Sequence, residues 1–268
     1  MPEPARSADG GTRGILSPGA VGEVFAVDRL DPSADLDDLV AVHWRVAWDL
    51  PAGRTHESLV LSYPAVNVSF EPDGAWVTGP VSGTYRRRLT GRAAVAAVRF
   101  RPAAFRSLVD QPMAGLRDRV VPAGDLLPLD PAVVDRIRAA PDLAAARPLV
   151  EDWLRELPRR RTAAQAELDT AVDLVERDRS LTRVDELAER CGRSVRWLQR
   201  GFADAVGLPV KQVIRMARLR EVAERALPGE VDWAAVAVDL GYTDQAHLVR
   251  DFTAAVGTSP ARYARAAR

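Results

Sequence analysis

The most constraining feature of this 268-residue chain is an internal repeat near its C-terminal end. Ala188-x-x-x-Gly192 recurs as Ala237-x-x-x-Gly241, offset by 49 positions. Leu198-x-Arg200-x-Phe202 recurs as Leu248-x-Arg250-x-Phe252, and Ala205-Val206-Gly207 as Ala255-Val256-Gly257, both offset by 50. The change of offset places one extra residue in the turn of the second unit. A small residue, a turn glycine and an apolar run at helical spacing describe a helix, a sharp turn and a second helix. The pattern therefore predicts a duplicated helix-turn-helix, in which each unit buries its apolar face against its neighbour.

The physics of one unit is readable. Val184, Leu187 and Ala188 give the first helix an apolar stripe, and the small Ala188 lets the second helix cross closely. Gly192 suits the left-handed conformation at a helix end, and Ser194 is a good N-cap for the next helix. Leu198, Phe202 and Val206 face inward, which leaves Arg196, Gln199, Arg200 and Ala203 on other faces. In the second unit Val236, Ala237 and Leu240 pack, Gly241 turns, Thr243 or Asp244 caps, and Leu248, Phe252 and Val256 face the core. Gln245, His247 and Arg250 stay outside. Exposed Arg and Gln near a helix N-terminus suit the major groove: Arg forks onto guanine and Gln onto adenine, each good pair being worth about 1–3 kcal/mol of discrimination.

These motifs resemble the DNA-binding domain of the AraC/XylS family of transcription regulators. The matching stretches are Val184-x-x-Leu187-Ala188, Leu198-Gln199-Arg200-x-Phe202 and Gly207-x-Pro209. They continue with Arg218-Leu219-x-x-Val222-Ala223, then Gly241-Tyr242-x-Asp244-Gln245-x-His247-Leu248-x-Arg250-x-Phe252 and Gly257-x-Ser259-Pro260-x-x-Tyr263. The resemblance implies two recognition helices, about 194–206 and 244–256, held by a connecting helix and entering successive major grooves. By position it implies DNA contacts from Arg196, Gln199, Arg200, Gln245, His247 and Arg250. Ala246 departs from a polar contact, so readout there rests on a thymine methyl or is weaker.

The remainder reads differently. Ala20–Val27, Leu39–Trp48, Ser58–Tyr63, Ala65–Phe70 and Ala93–Phe100 are short apolar or alternating runs separated by turn signals such as Pro72-Asp73-Gly74 and Gly79-Pro80. They predict an antiparallel sheet or small β-barrel. Helices are expected over Ala103–Asp110, Pro131–Ala140 and Ala144–Leu157. The fold class is thus multidomain: an α+β N-terminal part and an all-α C-terminal part with two helix-turn-helix units. The expected boundaries are 15–157 for an effector-sensing or dimerisation domain, 158–161 for a linker with solvated arginines, and 162–268 for the DNA-binding domain. The first part resembles small sensor-like domains attached to such regulators in actinobacteria, through Val42-His43-Trp44, Asn67-Val68-Ser69-Phe70, Gly79-Pro80, Arg99 to Phe105 and Leu116-Arg117-Asp118. His43, Trp44, Trp48, Asn67 and Trp76 are candidates for lining a pocket, although such aromatics more often form core; no effector-binding residue is assigned. Arg86-Arg87-Arg88 reads as a solvated strand or edge.

Composition narrows the chemistry. Cys191 is the only cysteine and the three histidines are His43, His56 and His247, which argues against a thiolate or histidine metal cluster. Cys191 is expected to act as a small buried hydrophobe. No phosphate loop or nucleophile elbow occurs. An alkyl-transfer repair activity would need a cysteine outside the helix-turn-helix, so no enzyme and no cofactor is expected. No run of eighteen apolar residues is present, so no membrane partner is expected. With no apolar leader, and with 36 of the 37 basic residues being arginine, the sequence points to the cytoplasm of a bacterium. The formal charge is zero; residues 159–268 carry 19 basic against 16 acidic groups, a mild excess. The expected partner is double-stranded DNA, with RNA polymerase, a small-molecule effector and a second copy of the chain as further candidates. The rival reading is an interaction protein whose helical domain has lost specific DNA binding.

Overall fold

Strands β4 (Asn67–Glu71) and β7 (Arg92–Phe100) show how the N-terminal part is layered. Both are antiparallel neighbours in a six-stranded sheet, so their side chains alternate between its two faces. Val68, Phe70, Val98 and Phe100 face a core shared with α1 (Pro131–Arg138) and α2 (Leu143–Glu156). Trp153 of α2 meets Phe70 edge-on at 5.9 Å. Asn67, Ser69, Glu71, Val95 and Arg99 face the other way and line an interior cavity. This structure, a computed structural model, describes residues 14–16, 18–227 and 231–266.

The sheet runs β1-β2-β7-β4-β5-β8, where β1 is Phe25–Leu30, β2 Val40–Asp49, β5 Gly74–Thr78 and β8 Val120–Pro122. A separate ribbon of β3 (Thr55–Leu61) and β6 (Thr84–Thr90) closes over its second face. Inward-pointing Ser58, Val60, Tyr85, Arg87 and Leu89 of the ribbon complete the cavity wall. The expected antiparallel sheet with helices is therefore present. The Arg triplet is not simply a solvated edge. Arg86 is exposed near Glu57, whereas Arg87 turns inward and binds Glu71 at 2.7 Å.

In the C-terminal part, α3 (Ala163–Arg177) begins with Thr162 and Gln165 bonding reciprocally to each other's backbone N–H, a capping box. There follow α4 (Val184–Arg190), α5 (Val195–Gly201), α6 (Val210–Arg225), α7 (Trp233–Asp239), α8 (Gln245–Val256) and α9 (Pro260–Ala266). Helix α6 serves two cores. Val213, Ile214 and Ala217 pack with Leu187, Leu198 and Phe202 of the first unit, while Leu219, Val222 and Ala223 pack with Val236, Leu248 and Phe252 of the second.

The two parts share cores. Ala103 packs in the core of the first helix-turn-helix unit, and Leu61 in that of the second. Segment 80–84 reaches both units. Gln212 of α6 donates to the Ser82 carbonyl, and Thr84 Oγ1 donates to the Ala255 carbonyl at 2.5 Å.

Several expectations are corrected. Residues 103–110 form only a short 3-10 turn at Phe105–Ser107, because tertiary partners take their polar groups: Asp169 accepts the Ala103 N–H, and the Ser107 carbonyl accepts the Arg160 N–H. Arg161 is not solvated; it is half-buried and pairs with Asp169 and, at 3.8 Å, with Asp38. Cys191 is only partly buried, its thiol pKa pushed up by desolvation and by the Glu167 carboxylate. The first expected strand begins at Phe25, the Arg86-Arg87-Arg88 strand is β6, and β5 and β8 join those expected.

Candidate nucleic-acid interface

Both turns are built as the residue types require. Gly192 and Gly241 hold φ at +61° and +65°, a region that costs a side chain with a Cβ about 1–2 kcal/mol. Ser194 then accepts the Trp197 N–H at 3.1 Å, and Asp244 accepts the His247 N–H at 2.6 Å. The N-cap thus falls two residues after the glycine in the first unit and three in the second, which locates the extra residue in the turn. Asp244, not Thr243, is the cap, and its charge also suits the positive end of the helix dipole.

The two second helices differ at their far ends. Helix α8 runs regularly to Val256, whereas α5 widens into a π-type turn over Phe202–Val206. The neighbouring contacts show why the sequences diverge here. A Cβ on Gly201 would lie 2.8 Å from a Leu168 methyl, so α3 crosses against bare backbone. The twin position, Asp251, instead binds Arg215 at 2.7 Å and accepts the Tyr242 hydroxyl at 3.1 Å.

Leu198, Phe202, Val206, Leu248, Phe252 and Val256 are all buried, as expected. Arg196, Gln199 and Arg200 on α5, and Gln245, Ala246 and Arg250 on α8, are exposed. His247 is only partly exposed: its ring packs edge-on against Tyr242 at 5.2 Å. Tyr242 in turn carries the Arg218 guanidinium 3.7 Å from its ring centre, so His247 braces the start of α8 as well as facing outward. Burial of the Tyr242 hydroxyl raises its pKa above the ordinary phenol value. Trp197 is half-buried beneath Arg193 at 5.1 Å, a packing role.

The arginines divide into two sets. Arg193 forks onto both oxygens of Glu167 at 2.7 Å, Arg215 binds Asp251, and Arg220 binds Glu176. By contrast, Arg196, Arg200 and Arg250 form no ion pair with a carboxylate among the described residues. Their charge is directed to solvent, where an anionic polymer can reach it. Arg200 also lines a surface groove with Arg106 of the N-terminal part and Arg160 of the linker. Sequence reasoning missed these two cations, since only the fold brings them beside α5.

The N-terminal part contacts the opposite ends of both helices. Arg106 Nε binds Asp204 at 3.1 Å, Arg117 Nε donates to the Gly207 carbonyl at 2.9 Å, and Thr84 holds Ala255. The N-terminal turns of α5 and α8 are left clear of these contacts.

Comparison with known protein families matches residues 187–266 to a helix-turn-helix domain and residues 28–122 to a domain of unknown function, DUF6597. No curated protein matches the chain. Among solved structures, the C-terminal domain of AraT, a response regulator from Geobacillus stearothermophilus, is 23% identical; the match covers 39% of this chain and 88% of that one, with a TM-score of 0.36. The DNA-binding domain of AdpA, a global transcriptional factor solved in complex with a target DNA, is 25% identical over 37% of this chain and 91% of that one, with a TM-score of 0.34. ToxT from Vibrio cholerae is 9% identical over 91% and 99% of the two chains, with a TM-score of 0.42. The chain thus joins a stretch that matches the domain of unknown function DUF6597, residues 28–122, to a stretch that matches a helix-turn-helix domain, residues 187–266.

Proposed function

We propose that the protein is a sequence-specific transcription regulator that lays α5 and α8 into successive major grooves of double-stranded DNA, under the influence of its N-terminal part. The observation that carries this reading is the pair of twin faces. At matching positions of two matching helices, Arg200 and Arg250 are exposed and have no carboxylate partner among the described residues, while arginines beside them are paired. Arg196 and Gln199 join Arg200 in the first face; Gln245 and Arg250, with His247 at the edge, form the second. Ala246 offers a methyl to thymine. Arg160 adds a phosphate contact flanking α5, and Ser194 and Asp244 fix the helix starts from which the side chains project.

With zero formal charge, the chain has no general basic field to supply affinity, so placed contacts must provide it. The test is fluorescence anisotropy of the full chain on the DNA upstream of its own gene and on a scrambled control, at two salt concentrations, followed by selection from random DNA. Selective, salt-dependent binding to the native or selected site supports the reading. Failure of selection to enrich any sequence overturns it and favours a protein-interaction role.

A further inference from the structure

The residue after the turn glycine differs between the two units, Arg193 after Gly192 and Tyr242 after Gly241. Both nevertheless lie against an aromatic ring at the third position of the helix that follows. The Arg193 guanidinium stands 5.1 Å from the Trp197 ring centre, and the Tyr242 ring meets His247 edge-on at 5.2 Å and 89°. Each turn residue is anchored in its turn by a carboxylate. Arg193 forks onto both oxygens of Glu167 in α3 at 2.7 Å. The Tyr242 hydroxyl donates to Asp251 at 3.1 Å, and Arg215 of α6 holds the other oxygen of Asp251 at 2.7 Å. Arg218, also of α6, stacks 3.7 Å from the Tyr242 ring centre. Two unlike sets of residues thus build one arrangement: a carboxylate, a turn residue and a ring of the second helix.

That ring is well placed to orient the helix. Trp197 stands three residues before Arg200, and His247 three before Arg250, so each lies about one turn from an outward arginine. Both rings are half-buried between the helix and its turn. A side chain that forks onto a base edge tolerates little displacement, so whatever sets the roll of the helix also sets which base edge it meets.

We propose that Trp197 and His247 are positioning residues, not base readers: they fix the roll of α5 and α8 and so set the base preference of each half of the DNA site. The two halves are keyed separately. Helix α5 takes its roll from α3 through Glu167 and Arg193, whereas α8 takes its roll from α6 through Arg215, Asp251 and Tyr242. This inference rests on the regulator reading above.

The test uses the full chain and the site that it selects from random DNA, with a panel of single-base variants of that site read by fluorescence anisotropy. His247→Ala is expected to weaken binding by more than about tenfold and to flatten the base preferences throughout one half of the site, while the other half keeps its own. His247→Phe, which restores a flat ring without the ring nitrogens, is expected to recover most of the affinity and the preferences that His247→Ala loses. Trp197→Ala is expected to flatten the opposite half. Circular dichroism confirms that each variant is folded; if Trp197→Ala is not, Glu167→Gln, which releases Arg193 but keeps the ring, takes its place. A loss confined to one base pair that His247→Phe does not restore makes His247 a direct reader and overturns the proposal. Unchanged preferences, or a loss spread evenly over both halves, overturn it as well. A wild-type chain that selects no site overturns the regulator reading itself, whereas a selective wild type with any of these outcomes overturns only the positioning role.

Discussion

The Asp169 carboxylate, on the first helix of the C-terminal part, accepts the backbone N–H of Ala103 at 2.7 Å. It is almost fully buried and is also paired with Arg101 and Arg161. One side chain therefore joins the sheet-bearing part, the linker and the helical part, and the energetics of the seam converge on it.

Asp169→Ala removes the acceptor for a buried N–H and a partner of two guanidinium groups. It is expected to cost about 3–5 kcal/mol, the loss typical of breaking a buried charge pair. Asp169→Asn keeps an acceptor for Ala103 and is expected to cost less. Urea unfolding of both variants checks the order; equal losses would show that the N–H contributes nothing.

Acid is expected to destabilise the N-terminal part through His43. This residue, 1% exposed, faces Glu151 at 3.3 Å on the helix side of β2. Burial, aided by Arg147 and opposed by Glu151, lowers its pKa from 6.5 to about 4. The unfolded chain then binds the proton first, so stability is full above pH 6.5 and falls as pH drops towards 4. The loss is on the order of 3 kcal/mol at about 1.4 kcal/mol per pKa unit. Glu151 acts in the same direction at lower pH: burial disfavours its carboxylate, but the two Ser33 donors and His43 outweigh that and hold its pKa below the ordinary value. His43→Gln removes the titration and is expected to flatten the slope of urea midpoint against pH between those limits.

Gly207 and Gly257 provide a controlled comparison. Both end a second helix with φ near +83°, but only Gly207 is covered: a Cβ there would lie 2.8 Å from both the Met113 carbonyl oxygen and Pro80 Cγ. Gly257→Ala is expected to cost about 1–2 kcal/mol of backbone strain alone. Gly207→Ala adds displacement of the N-terminal part and is expected to cost more. Melting temperatures of the two variants measure the difference.

On DNA, Arg200→Ala and Arg250→Ala are each expected to weaken binding by about 1–3 kcal/mol if the side chain reads a base. If it grips a phosphate instead, the loss is uniform across sequences and the salt slope falls by about one. The two residues share no partner, so the double variant is expected to sum the single losses. Undiminished affinity in the double variant would remove both residues from the interface.

Local pattern was enough for the helical part. Helix α8 spans Gln245–Val256 as expected, because its cap, its apolar spacing and its closing glycine all lie within the segment. Non-local placement was the harder problem. Trp44, Trp48 and Asn67 do line the cavity, but His43 points to the opposite face and Trp76 donates to Asp73 outside it. Strand parity separates these neighbours, yet parity acquires meaning only once both faces are known to be covered. Arg86-Arg87-Arg88 reads as a solvated strand or edge and does lie in β6, but the inward turn of Arg87 was hidden because the segment looks polar; Glu71, sixteen positions earlier, is what allows it. Arg106 and Arg160 carried no signal at all, since their nearness to Arg200 exists only in three dimensions.

Thr84 and Arg106, both of the N-terminal part, grip the far ends of α8 and α5. Two reading heads joined in this way behave as a caliper with a locked opening, not as beads on a string. On the proposed reading, inserting one base pair between the two contacted grooves turns the second groove by about a tenth of a helical revolution. The two grips then oppose a change of that opening. Operators for this protein would then tolerate changes of base more readily than changes of length, and a molecule that loosened either grip would act by relaxing that rule of phase.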